Sequence, residues 1–427
     1  MMRPSLGSVA GVMAVLLTNT PLCAWADSVS LFCSSSGSEY EICKAGADAW
    51  AKQTGNEVKI NKMPADWDQT LPLYQQLLSA RSHDADVLLL DVVWIGLLQN
   101  NLLDLTPLLP KEEVAAHFPA ALEAGTVDAR LVALPWYEDT GLLFYRRDLL
   151  AKYNKPVPKT WAEFNATAKA IEDGEQAAGN KNMWGFSWQG KSYEGLTCDA
   201  IEWTASSGGG TIVDNGNGQI TIDNPKAAAA LQRAHDWVGS ISPPGVLGYD
   251  EESSRAVFEQ GNAVFLRNWS YVWGTSQTAG TAVVGKVGVA ALPVGDASDK
   301  SSGCMGTAHL AISKYTEHKA AAVSLLRFMA SAAEEKRRAI AGAYNPTIKA
   351  LYDDPDVLKA IPFLKNAQAA FANSALRPSA ITGSSYNRVS QAFYKTVHEV
   401  LSGDQQPVPA LHGLAGQLTT IKQRGKW

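Results

Sequence analysis

The sequence predicts an α/β protein with more than one domain, and two observations support this prediction. Short strand patterns alternate with helix patterns along the chain, an order typical of a largely parallel sheet covered by helices. The chain has 427 residues, whereas single hydrophobic cores stop growing at roughly 250 to 300 residues. We therefore expect two domains, each with its own core.

In the first part of the chain, strand and helix patterns follow one another at short intervals. The predicted strands are residues 28–33, 57–60 and 86–90, and the predicted helices are residues 39–54 and 71–80. Apolar residues at helical spacing predict the first helix, and Gly55 is predicted to end it. The third strand is a continuous apolar run that ends at Asp91.

The second part of the chain, from about Asp139, shows the same alternation with clearer helix starts. Thr160 and Glu163 form a capping box, so a helix is predicted to begin there. Pro225 suits the first turn of another helix, and Gly261 is predicted to end a third. The remaining predictions are strands over residues 142–145 and 263–266, a hairpin over residues 211–222 and a helix over residues 317–330.

The N-terminal segment predicts export from the cytoplasm. Arg3 supplies a positive start, residues 9–17 form a short apolar run, and residues 24–26 form a small-x-small cleavage pattern. The apolar run is about half as long as a membrane-spanning helix requires. Residues 1–26 are therefore predicted to be a signal peptide, and the mature protein is expected to start at Asp27 as a soluble periplasmic protein.

The cysteines also fit export to an oxidising compartment. Cys23 leaves a lipoprotein open as an alternative, although the residues before it do not form the usual lipobox. Cys33, Cys43, Cys198 and Cys304 remain, and an even number predicts disulfides, with three pairings to choose from. Cys33 with Cys43 is the local pairing, and it would leave Cys198 with Cys304. No cysteine or histidine spacing is typical of zinc, so no metal is expected.

Charge and motifs exclude several function classes. The formal net charge is −5 at pH 7, and no run rich in lysine and arginine is present, so nucleic acid is not an expected partner. No nucleophile elbow, HExxH motif, phosphate loop or GxGxxG turn is found, so no catalytic residue and no cofactor are predicted. A glycosidase needs only two carboxylates, and a secreted carbohydrate-active enzyme therefore stays open as an alternative.

Aromatic and acidic residues near strand ends are the strongest functional signal. Of the 13 tryptophans and 13 tyrosines, those that follow predicted strands or lie in turns are Trp94, Trp136, Tyr137, Trp188, Trp269 and Tyr271. Asp91 and Asp139 lie at strand ends as well, where ligands bind in open α/β sheets. A sugar stacks its C–H face on an aromatic ring and pairs its hydroxyls with charged groups. This combination predicts a sugar site, although a single tryptophan is more often part of a core.

Several stretches of the sequence, in order along the chain, resemble one known family. The stretches are residues 86–94 (DVLLLDVVW), 133–145 (ALPWYEDTGLLFY), 158–161 (PKTW), 188–196 (WQGKSYEGL), 256–271, 303–313 and 377–390. Together they resemble the extracellular solute-binding proteins of ABC sugar importers, in particular the trehalose/maltose-binding group. The similarity runs from about residue 28 to near the C-terminus.

This resemblance implies a fold and a function. The fold is the two-lobed, type II periplasmic-binding-protein fold, with discontinuous lobes joined by a hinge. We expect residues 27–138 with 303–345 in one lobe, and residues 139–302 with 346–427 in the other. The implied function is non-catalytic binding, as a monomer, of a disaccharide such as trehalose, maltose or a similar α-glucoside. The protein would deliver it to the transmembrane subunits of an ABC permease.

The resemblance also implies which residues bind the ligand. It assigns Glu39, Asp91 and Asp139 as hydroxyl acceptors. It assigns Tyr137, Trp269 and Tyr271 as stacking rings. Arg377 is assigned as a donor and Tyr386 as a further contact. Two departures concern the pocket. Thr70 stands where close relatives have an arginine, and Gly303-Cys304-Met305 stands where they have Gly-Gly-Trp, so the choice of disaccharide stays open.

Overall fold

The computed structural model describes residues 27–64, 67–365, 368, 370, 373–425 and 427. The predicted signal peptide, residues 1–26, lies outside this part of the chain. Within the described ranges, no helix combines the length and the apolar character needed to span a bilayer. Two mixed β-sheets and a small two-stranded antiparallel sheet, with helices around them, make up the described part of the fold, and the predicted α/β class is confirmed.

The strands and helices follow in this order. The strands are β1 (Ser28–Cys33), β2 (Glu57–Lys62), β3 (Val87–Asp91), β4 (Thr126–Val127), β5 (Arg130–Leu131), β6 (Leu134–Tyr137), β7 (Leu142–Arg146), β8 (Trp184–Ser187), β9 (Ala263–Asn268), β10 (Val287–Ala290) and β11 (Ala308–Ile312). The helices are α1 (Glu39–Thr54), α2 (Thr70–Ser79), α3 (Ile95–Leu98), α4 (Lys111–Ala115), α5 (Pro119–Ala124), α6 (Arg147–Lys152), α7 (Trp161–Ala177), α8 (Glu194–Ala205), α9 (Pro225–Trp237), α10 (Glu251–Glu259), α11 (Val272–Ser276), α12 (Lys319–Met329), α13 (Ala332–Gly342), α14 (Pro355–Ala360), α15 (Ser379–Thr382), α16 (Tyr386–Leu401) and α17 (Pro407–Gly425).

The two sheets are less parallel than predicted. The first has the strand order β2-β1-β3-β11-β6, and the second has the order β10-β7-β9-β8. In the first, β1 runs parallel to β2 and β3, whereas β11 is antiparallel to β3 and β6. In the second, only β8 and β9 are parallel. The prediction of a largely parallel sheet is wrong for β11. The chain returns to β11 from the second sheet and enters the first sheet from the opposite end.

Local signals were more reliable than the sheet topology. The capping box is present, since the Thr160 hydroxyl accepts from the Glu163 backbone N–H at 3.2 Å and the Glu163 carboxylate accepts from the Thr160 N–H at 3.2 Å. The predicted hairpin over residues 211–222 is reduced to one bridge between Val213 and Ile220. Short turn signals therefore fix helix starts well, but they do not fix strand pairing.

The buried side chains form two clusters, the first and second cores, and the first core also includes one face of the second sheet, with Leu142 and Leu266. We call the first sheet with its helices the first unit, and the second sheet with its helices the second unit. The first core includes Leu31, Leu89 and Leu310 from three strands of the first sheet. The second core is rich in aromatic rings: Trp188 and Trp203 lie 5.0 Å apart between ring centroids in an edge-to-face arrangement.

Three chain segments run side by side between the two units. The first is residues 138–141, the second is residues 303–306, and the third is residues 374–377. Backbone hydrogen bonds join them: Gly141 N–H donates to the Cys304 carbonyl at 3.3 Å, and Met305 N–H donates to the Ala375 carbonyl at 3.0 Å. These segments connect the sheets as a narrow ribbon.

The chain between the second and third segments packs on the first unit. Tyr352 stacks edge-to-face on Phe118 with 5.1 Å between ring centroids, and Ile348 forms a bridge with His117. Val357 and Leu364 also belong to the first core. The final passage to the second unit therefore lies beyond residue 364, later than the boundary expected at residue 345.

Two disulfides tie the units internally. Cys33–Cys43 joins the end of β1 to α1, and Cys198–Cys304 joins α8 to the second connecting segment. Of the three pairings that four cysteines allow, the structure has the one that contains the local Cys33–Cys43 bridge. The first bridge fixes the loop that leads to Glu39, and the second anchors the connecting ribbon to the second unit.

Candidate binding cleft

A cleft lies between the two units, at the ends of both sheets. It is lined by Ser36, Glu39, Trp67, Asp68, Asp91, Tyr137, Asp139, Tyr193, Glu194, Gly195, Cys198, Glu251, Trp269, Tyr271, Gly306, Tyr344 and Arg377. Seven of the eight residues that the resemblance assigned to ligand binding are among them. The exception is Tyr386, which is fully buried behind the cleft wall.

Strand ends place several of these side chains in the cleft. Asp91 is the last residue of β3, and its carboxylate caps the following turn by accepting from the Val93 N–H at 3.1 Å. Tyr137 ends β6, and Trp269 directly follows β9. Because strand ends of both sheets face the cleft, residues far apart in sequence meet there.

The Trp269 ring is held in a fixed orientation. The Arg267 guanidinium lies 4.2 Å from the ring centroid, and the indole N–H donates to Glu251 at 3.4 Å. Arg267 is itself buried and paired with Asp199 at 2.8 Å and Glu202 at 2.7 Å. One ring face is therefore covered by a cation, while the residue lines the cleft.

Arg377 bridges carboxylates of both units. Its two terminal nitrogens donate to Asp91 at 2.7 and 3.1 Å, and one of them also donates to Glu194 at 3.0 Å. Asp91 belongs to the first unit, whereas Glu194 starts α8 in the second. The guanidinium is thus a buried donor that links the two sides of the cleft.

Tyr386 acts on the cleft through Glu194. Its hydroxyl donates to the Glu194 carboxylate, and Ser390 donates to the other carboxylate oxygen at 2.5 Å. Tyr386 itself does not line the cleft, whereas Glu194, with which its hydroxyl is paired, does. The position that faces the ligand space is Glu194.

The rims of the cleft touch in this structure. Tyr271 donates its hydroxyl to Glu252 at 2.7 Å, and Glu252 also accepts from the Gly37 N–H of the opposite unit at 3.2 Å. At the other side, the Glu194 N–H donates to Asp68 at 3.1 Å. These contacts join the units across the cleft, so the conformation is a closed one.

Two buried acids in the cleft have unusual acidity. Burial raises the pKa of Glu39 to about 8, although nearby Ser34 and Tyr137 hydroxyls lower it in part. Burial also raises the pKa of Asp139 to about 7, against the backbone N–H groups of Ser270 and Thr140 that donate to its carboxylate. Glu39 Oε1 has no hydrogen-bond partner among the described residues. Buried polar atoms normally have partners, so this oxygen is suited to a ligand hydroxyl.

Three aromatic residues predicted at strand ends do not line the cleft. Trp94, Trp136 and Trp188 are at most 4 % exposed. Trp136 lies under the Arg338 guanidinium, 4.6 Å from its ring centroid, whereas its neighbour Tyr137 faces the cleft. Successive side chains of a strand point to opposite faces, so only one of each adjacent pair can reach the ligand.

Sequence reasoning missed several cleft residues. They are Ser36, Trp67, Asp68, Tyr193, Glu194, Glu251 and Tyr344. Glu194 lies in a stretch that carried the family resemblance and could have been found there. Trp67 and Tyr344 lie in turns with no periodic pattern, and no signal in the sequence points to them.

The two departures from the relatives affect the cleft differently. Thr70 is fully buried at the start of α2 and does not line the cleft, but Trp67 and Asp68 just before it do. Met305 contributes its backbone carbonyl, which accepts from Arg377 at 3.2 Å. Among the described residues that line the cleft, Arg377 is the one arginine or lysine.

Comparisons with known proteins agree with this geometry. Residues 34–336 match the family described as bacterial extracellular solute-binding protein. A protein of Deinococcus radiodurans named a probable ABC transporter-binding protein is 47% identical over 404 residues, covering 94% of this chain and 95% of that protein. The match extends over nearly the whole of both chains.

Solved structures show the same two-lobed fold. Maltose-bound MalE3 of T. maritima is 35% identical, covers 93% of this chain and 100% of its own, and superposes with a TM-score of 0.87. An ABC transporter solute-binding protein of Agrobacterium radiobacter K84 in complex with ribitol is 24% identical, with coverages of 92% and 98% and a TM-score of 0.82. The family and these relatives are binding proteins and not enzymes, which argues against the carbohydrate-active enzyme. The chain belongs to the family of bacterial extracellular solute-binding proteins.

Proposed function

We propose that this protein is the periplasmic binding component of an ABC sugar importer and that a disaccharide binds in the cleft. The observation that carries the proposal is the convergence of aromatic rings and carboxylates from both units on one cleft. Saccharides need this combination, since their C–H faces are apolar and their hydroxyls both donate and accept.

Each assigned residue has a role in this proposal. Trp269 offers its free ring face to one sugar ring, and Tyr137 and Tyr271 bound the apolar side of the cleft. Glu39, Asp91 and Asp139 pair with hydroxyls. Arg377 donates to ring or hydroxyl oxygens while it holds Asp91 and Glu194 in place. The list of residues is thus Glu39, Asp91, Tyr137, Asp139, Trp269, Tyr271 and Arg377.

An α-linked disaccharide, such as trehalose or maltose, is the ligand that we propose. The relative with maltose bound is 35% identical to this chain, which supports a related ligand. The relative with ribitol bound shows that the same fold also accepts polyols. Thr70 and Met305 replace an arginine and a tryptophan of close relatives, so a preference within this class of disaccharides is expected to differ from theirs.

The mechanism follows from two units joined by a narrow ribbon. We propose that residues 27–138, together with 307–364, move as one lobe, and that residues 142–302, together with 378–427, move as the other. A ligand that contacts both lobes favours the closed state, because those contacts exist only when the cleft is shut. The closed protein, as a monomer, then docks on the transmembrane subunits of the permease.

Calorimetry tests the proposal. The mature protein, residues 27–427, is titrated with trehalose, maltose and sucrose, and with ribitol as a polyol comparison. We expect one site per protein and binding of at least one disaccharide, with unchanged sugar recovered afterwards. Failure of every disaccharide to bind, with ribitol bound instead, would overturn the disaccharide assignment, and steady release of monosaccharide would overturn binding without catalysis.

A further inference from the structure

The chain after α13 turns sharply into the cleft. Ala343 follows this helix with φ at 59°, in the left-handed region that residues with a Cβ atom rarely adopt. Its N–H donates to the Ala339 carbonyl at 3.0 Å and closes the helix end. Strained backbone of this kind persists where the surrounding structure holds it, and it is concentrated at functional sites. Here the turn directs the next side chain, Tyr344, to the cleft.

The Tyr344 hydroxyl is buried and unsatisfied. The residue is 3% exposed and lines the cleft. Its ring packs against Tyr137 with 5.1 Å between centroids, and a Cβ added at Gly342 would lie 2.8 Å from it, so the ring is tightly seated. Among the described residues, its oxygen has no hydrogen-bond partner. A buried polar group is usually paired, and since Tyr344 lines the cleft, a ligand group there could supply the partner.

Glu39 also lines the cleft and has a second unsatisfied oxygen. It is also 3% exposed, and its Oε1 has no partner among the described residues. Burial raises the pKa of Tyr344 and the charges of Glu39 and Asp139 raise it further, whereas the side chain of Ser38 lowers it in part. Both residues belong to the first unit, so their spacing does not depend on closure.

We propose that Tyr344 is a ligand-binding residue, and that it and Glu39 together bind two hydroxyls on one ring of the saccharide. Glu39 accepts from one hydroxyl, and the Tyr344 phenol donates to the other. The inference rests on the proposed function and narrows the ligand to disaccharides in which the ring next to Glu39 and Tyr344 carries two free hydroxyls that face these residues. A site built to pair with a hydroxyl discriminates strongly against analogues that lack it, because the protein's own polar groups then stay unpaired.

The test compares two tyrosines that differ in position only. Tyr344→Phe removes the cleft hydroxyl and keeps the ring. Tyr352→Phe is the matched control, since Tyr352 is equally buried, its hydroxyl is also unpartnered, and it does not line the cleft. Thermal unfolding of both variants establishes that each is folded.

Affinities are measured by calorimetry with whichever of trehalose, maltose and sucrose binds the wild type most tightly. We expect Tyr344→Phe to weaken binding roughly 5- to 30-fold and Tyr352→Phe to leave it unchanged. Monodeoxy analogues of the same sugar give a second readout on unmodified protein. One analogue should bind the wild type more weakly than the parent sugar does. The same analogue and the parent sugar should bind Tyr344→Phe with equal affinity.

The outcomes distinguish a failure of the proposed Tyr344 role from a failure of the proposed function. Wild-type affinity in Tyr344→Phe, with disaccharide binding intact, overturns the role of Tyr344 and leaves the proposed function standing. Equal losses in both tyrosine variants also overturn it, because the effect is then structural. If the wild type binds none of the disaccharides, the proposed function fails and the inference fails with it.

Discussion

Replacing Trp269 by alanine tests the stacking surface of the cleft. One face of the indole is covered by the Arg267 guanidinium at 4.2 Å, so a ligand can stack on at most one face of the ring. Arg267 keeps its ion pairs with Asp199 at 2.8 Å and Glu202 at 2.7 Å without the ring. Trp269→Ala therefore removes one stacking face and leaves the buried charges compensated, so we expect the fold to survive.

The magnitude follows from a single stacked ring. Stacking contributes about 0.5 to 1.5 kcal/mol beyond area burial, and losing the apolar contact of a large side chain costs about 1.5 to 3 kcal/mol. Together these predict a loss of about 2 to 4.5 kcal/mol in binding free energy, which corresponds to roughly 30- to 2000-fold weaker binding.

Calorimetry with a disaccharide that the wild type binds provides the assay, with Trp273→Ala as the control. Trp273 is a half-buried tryptophan whose indole donates to the Ala360 carbonyl at 2.9 Å, and it does not line the cleft. The control should lose thermal stability and keep its affinity. A folded Trp269→Ala protein that binds the disaccharide like the wild type would refute the reasoning.

Two further predictions concern the support of the ring and the buried acids. A Cβ at Gly306 would lie 2.7 Å from the Trp269 ring, so Gly306→Ala should displace the ring. We expect disaccharide binding to weaken at least several-fold, with little change in melting temperature. Unchanged affinity by calorimetry would contradict this prediction. The pKa values of Glu39 and Asp139 are raised to about 8 and about 7. Near pH 6.5 the folded state therefore holds protons that the unfolded state has lost. The free energy of unfolding should fall as pH rises from 6.5 to 8. Urea titrations at several pH values measure it, and a slope that is the same in Glu39→Gln as in the wild type would count against the Glu39 contribution.

Local sequence patterns predicted much of the fold. The first strand and the first helix lie where their patterns put them, and the Thr160 capping box has the expected hydrogen bonds. These features depend on residues a few positions apart. The antiparallel β11 depends on a chain that leaves the first unit and returns, which no local pattern records.

The cleft was predictable in part for the same reason. Asp91 and Trp269 come directly at strand ends, and the motifs around them identified both. Tyr344 reaches the cleft through a left-handed turn at Ala343. Trp188 has the right position after a strand but packs on Trp203 in the second core. Tertiary packing decided these cases.

A crystal structure of the mature protein with its tightest-binding disaccharide would show directly whether the cleft is the sugar site. We expect one sugar in the cleft, with a ring stacked on Trp269 and hydroxyls within hydrogen-bond distance of Glu39, Asp91 and Asp139. We also expect the rim contacts between Gly37 and Glu252 in the bound state. A sugar bound elsewhere on the protein, with the cleft empty, would contradict this assignment of the site.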